Sequence, residues 1–263
     1  MSIKSLKTPL RYPGGKSKAI KTLSQWYPKI ISEYREPFIG GGSIAIDVTK
    51  SNPDIPVWIN DLYVPLYNFW VQLRDRGEEL SERVREEKQN TLDEGDPDKI
   101  TSSAKELFNK YKEEIDTYDD FEKAVAFFIM NKCSFSGLTE NSTFSQTASN
   151  ANFSLVGADK LKEFSKLIQH WKITNIDYSE VMNADGSDST FVFLDPPYDI
   201  KDFLYGKNRE MHKSFDHNLF AENVYKCKHN FMITYNVNHR LLQLYAAYEL
   251  NFWNLRYSMV HRG

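Results

Sequence analysis

The chain has 263 residues, 41% hydrophobic and 26% charged, with a formal net charge of −3 at pH 7. That length can bury a full core, as one large domain or as one domain with a sizeable insertion. It contains no run of about 18 apolar residues, and residues 1–7 lack the apolar core of a signal peptide, which argues against a membrane span and a signal sequence.

The distribution of charge along the chain and the spacing of its two cysteines bear further on the class of protein. Residues 1–30 carry basic side chains and no acid, whereas residues 75–122 are rich in Asp and Glu. This distribution permits a positive face without predicting one. Cys133 and Cys227 have no metal-ligand spacing, which predicts reduced thiols in a cytoplasmic protein.

The first motif is Tyr12-Pro13-Gly14-Gly15-Lys16. Pro-Gly-Gly predicts a turn, which would bring Tyr12 and Lys16 close to a ligand. Gly-Gly-Lys-Ser is similar to a phosphate-binding loop, but Leu10 stands where that loop requires its first glycine, and no strand of length precedes it. These differences exclude a nucleotide triphosphatase and leave an ordinary turn-to-helix entry as the alternative.

The second motif is a short strand that runs through Glu36 and Phe38 into Gly40-Gly41-Gly42, with a helix starting at Ser43. This order is typical of the first βα turn of a doubly wound parallel sheet, although the spacing is not that of a dinucleotide site. Glycines allow the backbone to approach a ligand. The acid Glu36 suits a ligand with a positive centre better than a pyrophosphate.

Residues 57–61 predict a second strand that ends at Asp61, about 20 residues beyond the glycines, where nucleoside-binding sheets place a ribose-binding acid. The alternative is that Asp61 caps a helix over Val64–Leu73. Taken together, the turns and the acid predict a site for an adenosine-containing cation.

The middle of the chain is predicted to consist of helices followed by a polar segment. Residues 78–122 predict solvated helices, and Phe121–Lys132 predicts a helix that packs on the sheet. The segment from Cys133 to Phe153 is rich in Ser, Thr and Asn with interspersed Phe, which suits contacts to base edges and base stacking. The alternative for this segment is a flexible surface loop.

Further strands are predicted over residues 172–178, 191–194 and 231–236. The run 191–194 is wholly apolar and stops at Asp195-Pro196-Pro197-Tyr198, where the prolines force a turn. Ligands of open parallel sheets lie beyond the carboxyl ends of strands, where Asp195 and Tyr198 would project. An acid and an aromatic face suit a planar substrate with an amino group, whereas the alternative is a capped strand end.

In this order the motifs resemble those of the Dam-like DNA adenine-N6 methyltransferases, which use S-adenosylmethionine (SAM). The resemblance spans most of the chain and includes the D-P-P-Y motif at residues 195–198. It implies catalytic roles for Asp195, Pro196, Pro197 and Tyr198. It implies SAM-binding roles for a larger set: Tyr12, Lys16, Glu36, Phe38, Gly40, Gly42, Ser43, Asp61, Asp177 and Tyr178.

The resemblance also predicts the organisation of the chain. A Rossmann-like SAM-binding domain would comprise residues 1–73 and 167–263, with a mostly helical target-recognition insertion at residues 74–166. Expected partners are double-stranded DNA and a companion restriction endonuclease, with a monomer or weak dimer and no metal. The expected DNA contacts lie in the insertion: Lys132, Ser134, Ser136, Asn141, Ser142 and Phe144.

The implied chemistry is direct in-line methyl transfer to a flipped-out base. Asp195 and the Pro196 carbonyl would accept the N–H bonds of the adenine amine, and Tyr198 would stack on the base. Relatives that recognise GATC carry Asn and Arg where this chain has Ser136 and Glu140, so the resemblance does not predict GATC as the target. The alternatives are transfer to N4 of cytosine or to RNA, and a non-catalytic DNA-binding relative.

Overall fold

A computed structural model of the chain describes residues 6–137, 142–198 and 215–254. Within these residues one parallel sheet is formed by five strands: β1 (Glu33–Glu36), β2 (Val57–Asn60), β3 (Trp171–Thr174), β4 (Thr190–Leu194) and β5 (Asn230–Ile233). The strand order is β3-β2-β1-β4-β5. The order therefore reverses between β1 and β4, and the crevice beyond their carboxyl ends is where open α/β sheets bind ligands.

Helices connect the successive strands, and six of the described α-helices lie between β2 and β3. In chain order the α-helices are α1 (Ile20–Leu23), α2 (Ser43–Ser51), α3 (Val64–Asp75), α4 (Gly77–Leu92), α5 (Pro97–Glu114), α6 (Asp120–Cys133), α7 (Gln146–Asn152), α8 (Leu155–Ile168), α9 (Tyr178–Asn183), α10 (His217–Lys226) and α11 (His239–Leu244). Among the described residues, no helix has both the length and the apolar composition of a membrane span.

Short polar side chains set the starts of the middle helices. Asp96 accepts the backbone N–H groups of Asp98 and Lys99 at the start of α5. Asp119 and Ser154 cap α6 and α8 in the same way. Each such cap stabilises its helix by about 1 kcal/mol, because it satisfies a backbone donor that has no partner within the helix.

Both faces of the sheet are covered, as the wholly apolar β4 strand predicts. All five residues of β4 are buried. Phe191 and Phe193 join a core that includes residues of α2, α3, α6 and α8, whereas Val192 and Leu194 join a second core with α9, α10 and α11. Successive strand residues point to opposite faces, so this division confirms the doubly wound α/β fold.

The helical middle of the chain, α4–α8, lies between β2 and β3 in sequence and packs on α3 and α2. Its helices agree with those predicted over residues 78–132. The prediction of a loop over residues 133–153 is wrong for Gln146–Asn152, which form α7. Ser145 caps that helix, and Ala148 and Ser149 are buried, so local capping and tertiary packing outweigh a composition typical of loops.

Arg35 joins the sheet to α9 from within β1. Its guanidinium is 1% exposed and lies 2.6 Å from the Glu33 carboxylate. It also donates to the carbonyls of Val181 (3.0 Å), Ala184 (2.7 Å) and Asp185 (2.7 Å), around the carboxyl end of α9. A cation at that end also complements the helix dipole. Arg35 therefore anchors the helix that starts at Tyr178 on the ligand side.

Replacing Arg35 with Met should lower the free energy of unfolding by about 3–5 kcal/mol, because three carbonyls and a carboxylate lose their donor. The matched control is Arg85→Met, which removes an exposed pair with Asp159 and should cost less than about 1 kcal/mol. Urea unfolding of both variants at neutral pH measures the difference. Similar losses in the two variants would contradict the anchoring role of Arg35.

Candidate active site

The turn between β1 and α2 depends on its glycines. Gly40 and Gly42 have φ of +47° and +68°, which other residues rarely adopt. A Cβ atom on Gly42 would lie 2.6 Å from Cζ2 of Trp70. Trp70 Nε1 in turn donates to the carbonyl of Gly40 at 3.2 Å. The indole therefore supports the turn from below and leaves no room for a side chain.

The N-terminal motif lies on the other side of this turn. A Cβ atom on Gly40 would lie 2.9 Å from Cε1 of Tyr12, and one on Gly41 would lie 2.9 Å from Cβ of Tyr12. The Thr8 hydroxyl donates to the carbonyl of Gly41. The structure thus brings together Tyr12 and the glycine turn, two predicted parts of the cofactor site that are far apart in sequence.

Asp61 lies beside the glycine turn at the end of β2. Its Oδ2 accepts the Gly40 N–H at 3.1 Å, and its Oδ1 accepts the Tyr63 N–H at 3.0 Å. Burial raises the pKa of Asp61 to about 6, although these two backbone bonds favour the ionised form. A carboxylate has lone pairs beyond those two bonds, so Asp61 can still accept hydroxyl donors from a ligand.

Asn60, which the sequence analysis did not single out, joins three loops at this edge of the sheet. Its fully buried amide donates to the carbonyls of Pro37 (3.1 Å) and Ile176 (3.0 Å). Its Oδ1 accepts from the Ile176 N–H (2.9 Å) and the Thr174 hydroxyl (2.8 Å). An amide at the last position of a buried strand was the signal that could have identified it.

Phe38 and Tyr178 form an aromatic wall near the carboxyl ends of β1 and β3. Their rings stack with centroids 5.3 Å apart, and Phe215 and Phe220 pack against both. The adjacent Asp177 is exposed and caps α9 by accepting the Ser179 N–H at 2.9 Å. An aromatic wall beside an exposed carboxylate suits a planar ligand that carries amino groups.

Asp195 follows β4, and each of its carboxylate oxygens has a donor. Lys16 Nζ lies 2.5 Å from Oδ2 and also donates to the carbonyl of Gly14 at 2.7 Å. The Thr234 hydroxyl lies 2.6 Å from Oδ1. Lys16 Nζ is 5.1 Å from the centroid of the Tyr198 ring, and the lysine is only 3% exposed. Lys16 was predicted to belong to the site, whereas Thr234 was missed.

Glu36 ends β1, next to β4, and is buried. Burial raises its pKa to about 8, and the charge of Asp195 acts in the same direction. The Tyr34 hydroxyl, 2.7 Å from Glu36 Oε2, and the Lys16 ammonium oppose the shift. The raised pKa favours the protonated form of Glu36 at neutral pH when no cationic ligand is bound. Ser43, also predicted here, is buried at the first position of α2.

Several residues that were predicted to contact DNA make their contacts within the protein. Lys132 Nζ donates to the carbonyl of Pro9 at 2.5 Å, and burial lowers the pKa of Lys132 to about 8. Ser134 is fully buried and pairs by a bridge with Phe144, whose ring packs on Phe108. These positions do not suit a direct contact to DNA. The same holds for Ser142, which is buried.

Two further DNA-contact predictions cannot be placed. Asn141 lies outside the described residues, and so does the side chain of Ser136. Between Ser134 and Ser136, however, the aromatic ring of Phe135 is 58% exposed. Phe135 is one of the interspersed Phe residues that the sequence analysis considered suitable for base stacking, although it was not among the individual residues expected to contact DNA.

Asn131 connects this segment to the N-terminal motif. Its Oδ1 accepts the Arg11 N–H at 2.9 Å, and its Nδ2 donates to the carbonyls of Arg11 (2.7 Å) and Gly137 (3.0 Å). Arg11 Nη1 donates to the Ser134 carbonyl at 2.7 Å. The segment at 134–137 is therefore tied to the residue that precedes Tyr12.

The fold and the site define an α/β enzyme with a ligand site at the reversal point of its sheet. The family model described as "D12 class N6 adenine-specific DNA methyltransferase" matches residues 12–259. The chain therefore belongs to this family, which confirms the resemblance and the enzyme class predicted from the motifs: an adenine-specific DNA methyltransferase.

Curated relatives agree with the family. The chain is 25% identical over 200 residues to the type II methyltransferase M.MjaIII of Methanocaldococcus jannaschii, a match that covers 72% of this chain and 68% of the relative. It is 25% identical over 194 residues to the type II methyltransferase M1.LlaDCHI of Lactococcus lactis subsp. cremoris, covering 72% of this chain and 64% of the relative. The chain thus spans about two thirds of these relatives.

The raised pKa of Glu36 predicts a pH-dependent stability. Between the ordinary carboxyl value of 4.5 and about 8, the folded protein holds a proton that the unfolded chain releases. Its contribution to the free energy of unfolding is therefore full at low pH and is lost as pH rises towards 8. Glu36→Gln resembles the protonated form at every pH, so its Tm relative to wild type should increase across this range.

The measurement is thermal unfolding of both ligand-free proteins from about pH 5 to about pH 9. Glu222→Gln, at an exposed position of α10, is the matched control and should show a Tm difference that does not vary with pH. A constant difference for Glu36→Gln would show that Glu36 titrates with an ordinary pKa.

Proposed function

We propose that the protein transfers a methyl group from SAM to N6 of adenine at a specific sequence in double-stranded DNA, by direct in-line transfer to a flipped-out base. The observation that carries the proposal is Asp195, which lies at the reversal point of the sheet beside Glu36 and Lys16. This position offers an acceptor for an amine beyond the carboxyl end of β4, where open parallel sheets bind ligands.

The residues around the glycine turn fit SAM. Tyr12 and Trp70 occupy the space in which side chains at Gly40 and Gly42 would lie, so the turn offers only backbone groups to a ligand. Asp61 is placed to accept ribose hydroxyls, and Phe38, Asp177 and Tyr178 offer a stacking face and an acceptor for an adenine amine. Glu36 offers a negative charge to a sulfonium, which would favour its ionised form. When bound, SAM supplies an activated methyl group.

Asp195 and the Pro196 carbonyl would accept the two N–H bonds of the target amine. The nitrogen lone pair of an adenine amine is delocalised into the ring, and two such hydrogen bonds favour a pyramidal nitrogen with a localised lone pair. Positioning and electrostatics of this kind lower the barrier without a covalent intermediate. Pro197 makes the turn rigid, and Tyr198 provides a face on which the extruded base can stack.

Asp195→Ala should abolish methyl transfer, with a rate at least about 10³-fold lower, while SAM binding survives. Asp195→Asn should be nearly as inactive, and it avoids leaving Lys16 beside an empty space. Asp159→Ala, which removes an exposed acid of α8, is the matched control and should keep wild-type activity. Rates come from labelled SAM and mixed-sequence duplex DNA, and SAM affinity comes from calorimetry.

Mass spectrometry of the nucleosides identifies the acceptor. The proposal requires N6-methyladenine in the wild-type reaction. Label on N4 of cytosine, or in RNA alone, would replace it with one of the alternative acceptors. Sequence-specific DNA binding without turnover would instead indicate a non-catalytic relative.

We also propose that the segment around residues 134–153 takes part in DNA recognition, through exposed groups rather than through Lys132 or Ser134. The exposed ring of Phe135 supports this proposal, since a base can stack on it. The boundaries of the insertion at 74–166, the monomeric or weakly dimeric state and the companion endonuclease stay predictions. The names of the two relatives, both type II methyltransferases, favour a companion endonuclease.

Phe135→Ala should weaken duplex binding about 10-fold, because one stacking contact contributes about 1–3 kcal/mol, and should leave SAM affinity unchanged. Phe252→Ala removes an aromatic side chain that is also exposed, near the end of the described residues, and serves as the control. Fluorescence anisotropy with a labelled duplex measures both variants. Equal DNA affinities for the two would argue against a role for Phe135.

A further inference from the structure

The two oxygens of Asp195 have partners of different kinds. Oδ2 faces the ammonium of Lys16, at the end of a long side chain from the N-terminal turn. Oδ1 accepts a hydrogen bond from the Thr234 hydroxyl at 2.6 Å. A flexible donor can leave its acceptor when another donor arrives, whereas a short side chain on a strand has little freedom to do so.

The position of Thr234 is fixed by the sheet. It directly follows β5, and its backbone N–H donates to the Leu194 carbonyl at 2.9 Å, extending the β4–β5 register in which Leu194 pairs with Ile233. The residue is buried. A β-branched side chain has a restricted χ1 angle, so the hydroxyl is held at one place relative to the residue after Leu194.

A carboxylate at a strand end can rotate about its side-chain bonds unless a hydrogen bond holds it. A hydrogen bond to an ionised group is worth more than one between neutral groups, so a single hydroxyl can select one orientation. With Oδ1 held by Thr234, Oδ2 faces the side on which Lys16 and the Tyr198 ring lie. That is also the side on which a base stacked on Tyr198 would present its amine.

We propose that Thr234 is a positioning residue for methyl transfer: its hydroxyl holds Asp195 by Oδ1, so that Oδ2 is aimed at the target amine. Lys16 is the exchangeable partner that neutralises Oδ2 until the amine arrives. This inference rests on the proposed function, because it assumes that Asp195 accepts a substrate amine.

A purely structural role for Thr234 predicts something different. Its backbone bond to Leu194 already joins β5 to β4 without the side chain. Loss of the hydroxyl should then affect stability but not the rate of the folded enzyme. The two roles are therefore separable by comparing Thr234→Val, which has nearly the same shape, with Thr234→Ser, which keeps the hydroxyl.

The experiment measures single-turnover methyl transfer with saturating SAM and duplex DNA, together with KM for SAM and Tm. Thr234→Val should lower the single-turnover rate about 10- to 100-fold, with little change in KM for SAM, because a hydrogen bond to a charged group is lost at the reacting centre. Thr234→Ser should restore most of the rate.

The matched control is Thr49→Val in α2, where an equally buried hydroxyl accepts the Trp171 Nε1–H at 3.0 Å, away from Asp195. It should lower Tm without changing the rate of the folded enzyme. A wild-type rate in Thr234→Val, or equal losses in Thr234→Val and Thr234→Ser, would overturn the inference alone. A wild-type enzyme that transfers no methyl group to adenine would overturn the proposed function and this inference with it.

Discussion

Two carboxyl groups lie where the neighbouring strands β1 and β4 end: Glu36 is the last residue of β1, and Asp195 directly follows β4. The contacts of the site hold both carboxyl groups there. Like charges repel, and burial disfavours the charge of Glu36. The raised pKa of Glu36 relieves this repulsion, and the Tyr34 hydroxyl and the Lys16 ammonium stabilise the charges that remain. Because Lys16 comes from the N-terminal turn, that turn has to close over the sheet, which also brings Tyr12 onto the glycine turn.

Two neutral amide side chains, those of Asn60 and Asn131, hold the loops around the site in place. Asn60 joins the loops after β1 and β3, so the glycine turn and the Asp177 turn keep a fixed distance. Asn131 does the same between Arg11 and Gly137. A buried amide whose donors and acceptor are all used specifies one arrangement of the surrounding backbone. The two amides therefore hold the loops after β1 and β3, and the segment at 134–137, in fixed positions relative to their neighbours.

Much of the fold could be predicted because its signals are local. The apolar run of β4, the glycine turn and the acids after β2 and β4 each follow from neighbouring residues. The partners of Asp195 could not be predicted in the same way. In the sequence, Thr234 looks like any other strand residue, and its proximity to Asp195 becomes apparent only when β5 is known to lie beside β4. The surroundings of Lys132 and Ser134 could not be predicted either, because they depend on tertiary contacts: Ser134 is buried, and Lys132 donates to the carbonyl of Pro9.

The ion pair between Lys16 and Asp195 spans 179 residues, and Thr234 lies a further 39 residues along the chain. The centre of the site is therefore assembled from the first, the last and the middle parts of the sequence. During synthesis, Asp195 emerges before β5, so an N-terminal fragment that stops before β5 lacks Thr234, the donor to Oδ1 of Asp195. Such a fragment would keep the pair of Lys16 and Asp195 without the complete set of contacts around it.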